Sequence, residues 1–231
     1  MPKELTLLVC CHNHGSFLHR MLQDVFAQTL KPDRWKLLIV FDECTDGSAQ
    51  TFDDAWLDLC SIQGKNLTWL ECNTLVREKK EGLAACKNFG IEHCDTEFIA
   101  YLDADDGMMP NRLEMQLNFL QSSSGRAVDV CGTNAWDRDG HGRLLVNCFS
   151  VGQYQYHAEI AEALRRENIM CHGSVMLRRE AWQNAHGYDT SDKYLGYEDW
   201  HFWRKLMAGG KKFYNIPERL YIWSMGTSVE R

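Results

Sequence analysis

No apolar run in this chain approaches the roughly 20 residues that a helix needs to cross a bilayer, so the sequence reads as soluble, or at most peripheral at a membrane. A basic excess is missing too. Lys and Arg number 25 against 32 Asp and Glu, a formal charge of −7, which argues against a nucleic-acid partner because such binding needs a basic face to neutralise phosphates. Neither a CxxC pair nor a Cys/His zinc spacing occurs, and the opening Met-Pro-Lys-Glu-Leu has no basic-then-apolar leader. The ten cysteines therefore read as reduced thiols of a cytoplasmic protein, several of them (Cys10, Cys131) inside apolar runs where free Cys behaves as a small hydrophobe. The sequon Asn66-Leu67-Thr68, with no leader ahead of it, reads as chance. Internal repeats and low-complexity segments are absent. So are the phosphate-cradling GxGxxG and GxxxxGK[ST] loops, the GxSxG nucleophile turn and the HExxH or HxxH metal spacings. Any phosphate must be held by a metal, by Lys or Arg, or by scattered backbone amides.

What is present suits one α/β domain of ordinary size. Leu5–Cys11 and Leu37–Phe41 are continuous apolar runs, as expected of strands buried on both faces. Between them, Phe17–Thr29 repeats apolar residues at helical spacing, with Ser16 placed to cap it. Asp46-Gly47-Ser48 is turn chemistry leading into a helix through about Cys60. Leu67–Leu70 reads as a short third strand, Gly82–His93 as a helix, and Phe98–Leu102 as a fourth strand. Farther along, helices are expected at Leu113–Leu120, Ala158–Arg165, Ala181–Ala185 and Tyr197–Met207, strands at Val128–Cys131 and Ser174–Leu177, and loops at Gln121–Gly125 and Asp137–Gly142. Strand–helix–strand alternation implies right-handed crossovers and a parallel sheet, with any ligand outside the carboxyl ends of the strands. Asp42 and the run Asp103-Ala104-Asp105-Asp106 both fall at such ends.

Three carboxylates within four residues repel one another, and a hard divalent cation such as Mg²⁺ or Mn²⁺ relieves that repulsion; an acidic turn capping the next helix is the plainer alternative. Glu198-Asp199 opens a Trp-rich helix. There the acids favour the helix dipole, or they form a carboxylate site whose apolar flanks, Trp200 and Trp203, raise its pKa toward the range useful to a general base. Asp42 is either a turn residue or an acceptor for a base or ribose, and Asp46 reads as an N-cap. Lys80 and Lys87 are candidate phosphate cations, with exposed helix-face lysines the commoner account. His172, before Gly173-Ser174, reads chiefly as a satisfied structural histidine. Trp136, Tyr154, Tyr156 and Trp200 are aromatic faces on which a sugar can stack, though core packing is the commoner fate of Trp.

Taken in order, these segments resemble family-2 glycosyltransferases of the GT-A fold over most of the chain. Leu7-Leu8-Val9-Cys10-Cys11-His12-Asn13-His14 is similar to that family's first strand and loop. Phe26-Ala27-Gln28-Thr29 is similar to its helix end, and Phe41-Asp42-Glu43-Cys44-Thr45-Asp46-Gly47-Ser48 to its nucleotide turn. Gly82–Ile91 resembles the helix before the metal motif, Asp103-Ala104-Asp105-Asp106 that motif, and Gly187-Tyr188-Asp189 with Gly196-Tyr197-Glu198-Asp199-Trp200 the segment bearing the base. The resemblance implies a single GT-A-type domain over 1–231, with a Rossmann-like nucleotide-sugar half (1–106) on a mostly parallel sheet and an acceptor half (107–231). It implies nucleotide contacts at Cys11, Asn13, Asp42, Lys80, Lys87 and Asp103, metal ligands at Asp105 and Asp103, and Asp199 as general base with Glu198 orienting the acceptor. The acceptor side is assigned to His172, Gly173 and Trp200. The expected activity is inverting transfer from a nucleotide-diphosphate sugar, UDP first, to a hydroxyl of a glycan, lipid-linked glycan or protein, with Mn²⁺ or Mg²⁺. The expected location is cytoplasmic or peripheral at the inner membrane face, and a homodimer is left open. A nucleotide-sugar-binding protein without transfer is the second reading, and a nucleotidyltransferase, for which the Gly-rich basic loop is missing, the third. Three positions depart from the family pattern: Met225 stands where a metal-binding His is usual, Glu43 where a small residue is, and Lys80 where Asn is common. Met is a poor ligand for Mn²⁺ or Mg²⁺, so the metal is expected to be held by fewer protein groups.

Overall fold

The computed structural model describes residues 2–66, 68–146 and 154–226. The expected buried strands form at β1 (Leu5–Cys11), β2 (Trp35–Asp42) and β4 (Phe98–Asp103). Because successive side chains point to opposite faces of a strand, Leu7, Ile39 and Ala100 enter one apolar layer while Leu8, Val40 and Tyr101 enter another. Helices α1 (Gly15–Phe26), α2 (Ser48–Ile62) and α4 (Arg112–Gln121) cover the first face. On the second lie α3 (Leu83–Glu92), α5 (His157–Leu164), α6 (Arg179–Asn184) and α7 (Glu198–Ala208). The nine described cysteines carry no disulfide. Among the described residues no helix is long and apolar enough to cross a membrane.

The remaining strands are β3 (Glu71–Arg77), β5 (Gly107–Met108), β6 (Val130–Arg138), β7 (Leu144–Val146), β8 (Met176–Arg178) and β9 (Phe213–Ser224). Among the described residues the sheet runs β3-β2-β1-β4-β8-β6-β9-β5, with β7 on β6. Strands β1 to β4 pair in parallel, β8 reverses direction against β4, and β9 runs parallel to β6.

Three expectations are corrected. The third strand is not at Leu67–Leu70, of which Leu67 lies outside the described residues; β3 begins at Glu71 and is largely solvent-facing. As an edge strand it needs only its backbone for pairing, so polar residues such as Asn73 and Thr74 serve. Strand β9 was not anticipated, because Pro217 interrupts it. The sheet absorbs that proline at a register shift between Thr133 and Ala135 of β6, a bulge where a missing ladder donor is tolerated. Helix α1 begins one residue before Ser16, with His14 at the cap position and no side-chain cap of its own. Asp46 takes that duty from a distance: one carboxylate oxygen accepts the Gly15 N–H at 3.0 Å, the other the Ser48 N–H at 2.9 Å. One side chain thereby fixes the starts of both α1 and α2, with its carboxyl below the usual range through those bonds despite some burial.

Candidate active site

The parallel register sets Cys10 of β1 opposite Asp103 of β4 and Cys11 opposite Phe41 of β2. The carboxyl ends of three adjacent strands therefore open onto one rim, with Asp42 and Asp103 at it.

Asp42 is 4% exposed. Burial pushes its carboxyl above the usual range against the opposing charges of Arg77, His12 and Lys80. Arg77, from the end of β3, donates to Asp42 Oδ1 at 2.8 Å and reaches Glu81 Oε2 at 2.7 Å. His12 Nδ1 lies 2.6 Å from the Asp42 carbonyl, and its other nitrogen lies 3.1 Å from Lys80 Nζ. Asn13, at φ 56°, accepts the Thr45 N–H at 2.7 Å. Its side chain thus braces the loop after β2.

The acidic loop divides by partner. Asp106 is buried, and its carboxylate accepts the Tyr221 hydroxyl at 2.6 Å and the Ser224 N–H at 2.7 Å. Desolvation, together with the charges of Asp103 and Asp105, drives its carboxyl well above the usual range. It anchors the loop to β9. Arg20 of α1 holds the same loop from the other side, donating to the Asp105 carbonyl at 2.9 Å. Beneath lies Arg112, fully buried, which donates to the Tyr101 carbonyl at 2.8 Å, and burial brings its guanidinium down to about 10. Asp103 faces the rim; burial raises its carboxyl, Lys87 opposes the rise, and Asp105 and Asp199 add to it.

Lys87, buried on α3, points to the ring of His172, its Nζ 3.0 Å from Nδ1. That ring stacks on Tyr101 at 4.5 Å, and its Nε2 lies 2.9 Å from the Tyr188 hydroxyl. Burial and the neighbouring ammonium hold His172 well below its usual pKa, so the ring is neutral and serves as Lys87's partner. Gly173 is tight against the acids: a Cβ there would overlap the Tyr221 hydroxyl and lie 2.8 Å from Asp103 Oδ2. Asp199 Oδ2 accepts from Asn168 at 2.8 Å, in the first turn of α7. Glu198 has a buried carboxylate oxygen with no partner among the described residues. Trp200 turns its indole N–H to the Leu164 carbonyl at 2.7 Å, which fixes its ring against α5.

A hard divalent cation fits this set, because such ions are commonly held by one or two carboxylates with phosphate and water completing the shell. Asp103 and Asp105 are of that chemistry, and the Asp103 carboxyl is raised first by burial and then by the charges of Asp105 and Asp199, against Lys87. Among the described residues no three His, Cys, Asp or Glu side chains converge as a metal group. Met225, on the exposed end after β9, offers no hard donor. Both ring nitrogens of His14 are buried with no hydrogen-bond partner among the described residues, and His14 lies close enough to Asp103 to act on its carboxyl.

Sequence reasoning found the acids and Lys87 and missed Arg77, Arg20, Tyr221, Asn168 and His14. Of these only His14 lay in a segment already singled out; the others sit singly on elements outside the motifs.

Acids at the rim of a parallel sheet, under a loop pinned by a distant antiparallel extension, define a GT-A fold. S. aureus TarS matches with a TM-score of 0.72 at 14% identity, over 96% of this chain and 60% of that one. TarS has also been solved with UDP and with UDP-GlcNAc. The mannosyltransferase PcManGT from Pyrobaculum calidifontis, solved with GDP-Man and Mn²⁺, matches at 0.68 and 16% identity, over 96% of this chain and 57% of that one. This chain thus spans less than two thirds of either solved chain. Residues 6–184 match the model of glycosyl transferase family 2. The amylovoran biosynthesis glycosyltransferase AmsE of Erwinia amylovora is 25% identical over 203 residues, covering 88% of this chain and 68% of AmsE. The chain belongs to glycosyl transferase family 2 and is, by that membership, a glycosyltransferase.

Proposed function

We propose that this glycosyltransferase moves a sugar from a UDP-sugar to a hydroxyl of a glycan or lipid-linked glycan by single displacement with inversion. The observation that carries the reading is the shared rim: Asp42 and Asp103 end the two strands that flank β1, with the Asp199 charge felt at Asp103. The UDP complexes of TarS support the choice of nucleotide. Asp42, held by Arg77, accepts from the base; Cys11 and Asn13 shape the pocket wall, with Lys80 beside it. Lys87 lends positive charge near Asp103. Asp103 and Asp105 would hold Mn²⁺ or Mg²⁺, which supplies Lewis-acid neutralisation of a departing diphosphate. Asp199 takes the acceptor hydroxyl proton as the new oxygen–carbon bond forms at the anomeric carbon and the bond to the diphosphate breaks, its electron pair leaving with the nucleotide. Glu198 orients the acceptor, with the Gly173 backbone and Trp200 beside it. A cytoplasmic place, or one at the inner membrane face, accompanies this reading.

Asp199→Asn tests it. Removing a general base lowers turnover by about 10²–10⁴-fold, while UDP-sugar affinity stays near the wild-type value. Near-normal turnover in that variant sinks the assignment. UDP release with and without acceptor separates transfer from mere binding of the donor, the alternative that Met225 in place of a third hard ligand keeps in view.

A further inference from the structure

The outer side of α7 carries a pocket that the donor chemistry leaves unused. Lys193, Tyr194, Tyr197, Trp200, His201 and Arg204 line an open cavity of about 400 Å³. Tyr197 precedes α7 and is followed by Trp200, His201 and Arg204 at intervals of three, four and seven, which puts all four on one helix face. Phe202, Trp203 and Leu206 take the opposite, buried face. A short 3₁₀ turn, Asp192–Tyr194, forms the other wall, where Tyr194 stacks on His201 with ring centroids 3.6 Å apart and planes 13° from parallel. The Trp200 ring is fixed by its bond to Leu164.

Cations sit on this aromatic wall. Lys193 Nζ lies 5.1 Å from the Tyr194 ring centre and Arg204 Cζ 5.7 Å from that of Trp200, both within cation–π range. Among the described residues neither cation has a carboxylate partner. One acid approaches the pocket: Asp189 Oδ2 lies 3.8 Å from His201 Nε2. In a chain of net charge −7, two unpaired cations over pre-stacked rings form a place for an anion attached to something flat or ring-shaped. Ammonium and guanidinium groups suit phosphate oxygens, and Tyr and Trp faces suit pyranose rings.

We propose that this pocket is a distal acceptor subsite that binds a sugar bearing a phosphate or diphosphate. The proposal rests on the glycosyltransferase reading, because Asp199 stands at the start of the same helix, one residue before Trp200. An acceptor whose anionic end lies on the outer face can reach round the α7 N-terminus and present its hydroxyl to Asp199. The phosphate can belong to a soluble glycan or to a lipid-linked one, and both present the same chemistry here.

The test uses the full chain and a Lys193→Glu/Arg204→Glu variant, with binding followed by calorimetry. The probes are N-acetylglucosamine 1-phosphate, a short-alkyl diphosphate-linked N-acetylglucosamine, and UDP as the donor-site control. Losing two charge-assisted contacts weakens binding of the phosphorylated sugars by about 10- to 100-fold and leaves UDP affinity and melting temperature unchanged. Whichever sugar probe binds wild type more tightly identifies the source of the phosphate. Equal affinities in wild type and variant overturn the proposal. So does binding to mixed phosphatidylglycerol–phosphatidylcholine vesicles when neither soluble probe binds, which assigns the patch to a membrane surface. Lost UDP binding with retained sugar-phosphate binding would instead count against the donor reading and leave the subsite standing.

Discussion

Asp106 shows how a residue inside an acidic motif can be structural. Its carboxyl is raised well above 3.8 by burial and by Asp103 and Asp105, so the folded protein keeps a proton that the unfolded chain gives up. Stability contributed at this position therefore falls as pH rises above the ordinary carboxylate range. Asp106→Asn, which keeps an acceptor for Tyr221 and Ser224, should melt progressively higher than wild type as pH increases from about 4 toward neutrality. Thermal melts across that range check the sign. Arg77 makes a different case, since it pairs across β2 and β3 with Asp42, the residue proposed to accept from the base. Arg77→Ala should weaken UDP binding by about tenfold, the loss expected of one charge-assisted bond, as read by calorimetry. The acids themselves were legible in the sequence because chemistry concentrates them beside turn residues. Their partners were not, since Arg77, Arg20 and Asn168 are single polar residues whose role depends on which elements meet.

At the scale of elements, β1, β2 and β4 were readable because strands buried on both faces must be apolar throughout. Edge strand β3 and the proline-bearing β9 gave no such signal: one is polar because it faces water, the other crosses a bulge. Gly173 marks where this geometry is tightest, between β9 and the acidic loop. Gly173→Ala forces Tyr221 or Asp103 to shift, a cost of about 1–3 kcal/mol for overpacking, measurable by urea unfolding. The same substitution should lower Mn²⁺-dependent donor affinity more than metal-free affinity, because the Tyr221 hydroxyl it meets first also contacts Asp103 and Asp106. A loss confined to stability would show that the cation sits elsewhere.

For the molecule as a whole, donor and cation are expected to stabilise together. A ligand that binds only the folded state adds about 2.7 kcal/mol at one hundred times its Kd. UDP-sugar with Mn²⁺ should raise the melting temperature, and chelation should remove most of that gain while UDP alone keeps a remainder through Asp42. The pin between Tyr221 and Asp106 spans 115 positions of sequence, and this separation has a temporal meaning. Strands β1 to β4 can assemble from the earlier part of the chain, where Arg20 already holds one side of the loop bearing Asp103 and Asp105, yet its other side lacks the Tyr221 and Ser224 contacts until β9 arrives. Competence to hold a cation should accordingly be acquired late and all at once, so that a half-assembled chain cannot sequester nucleotide sugar before it is able to use it.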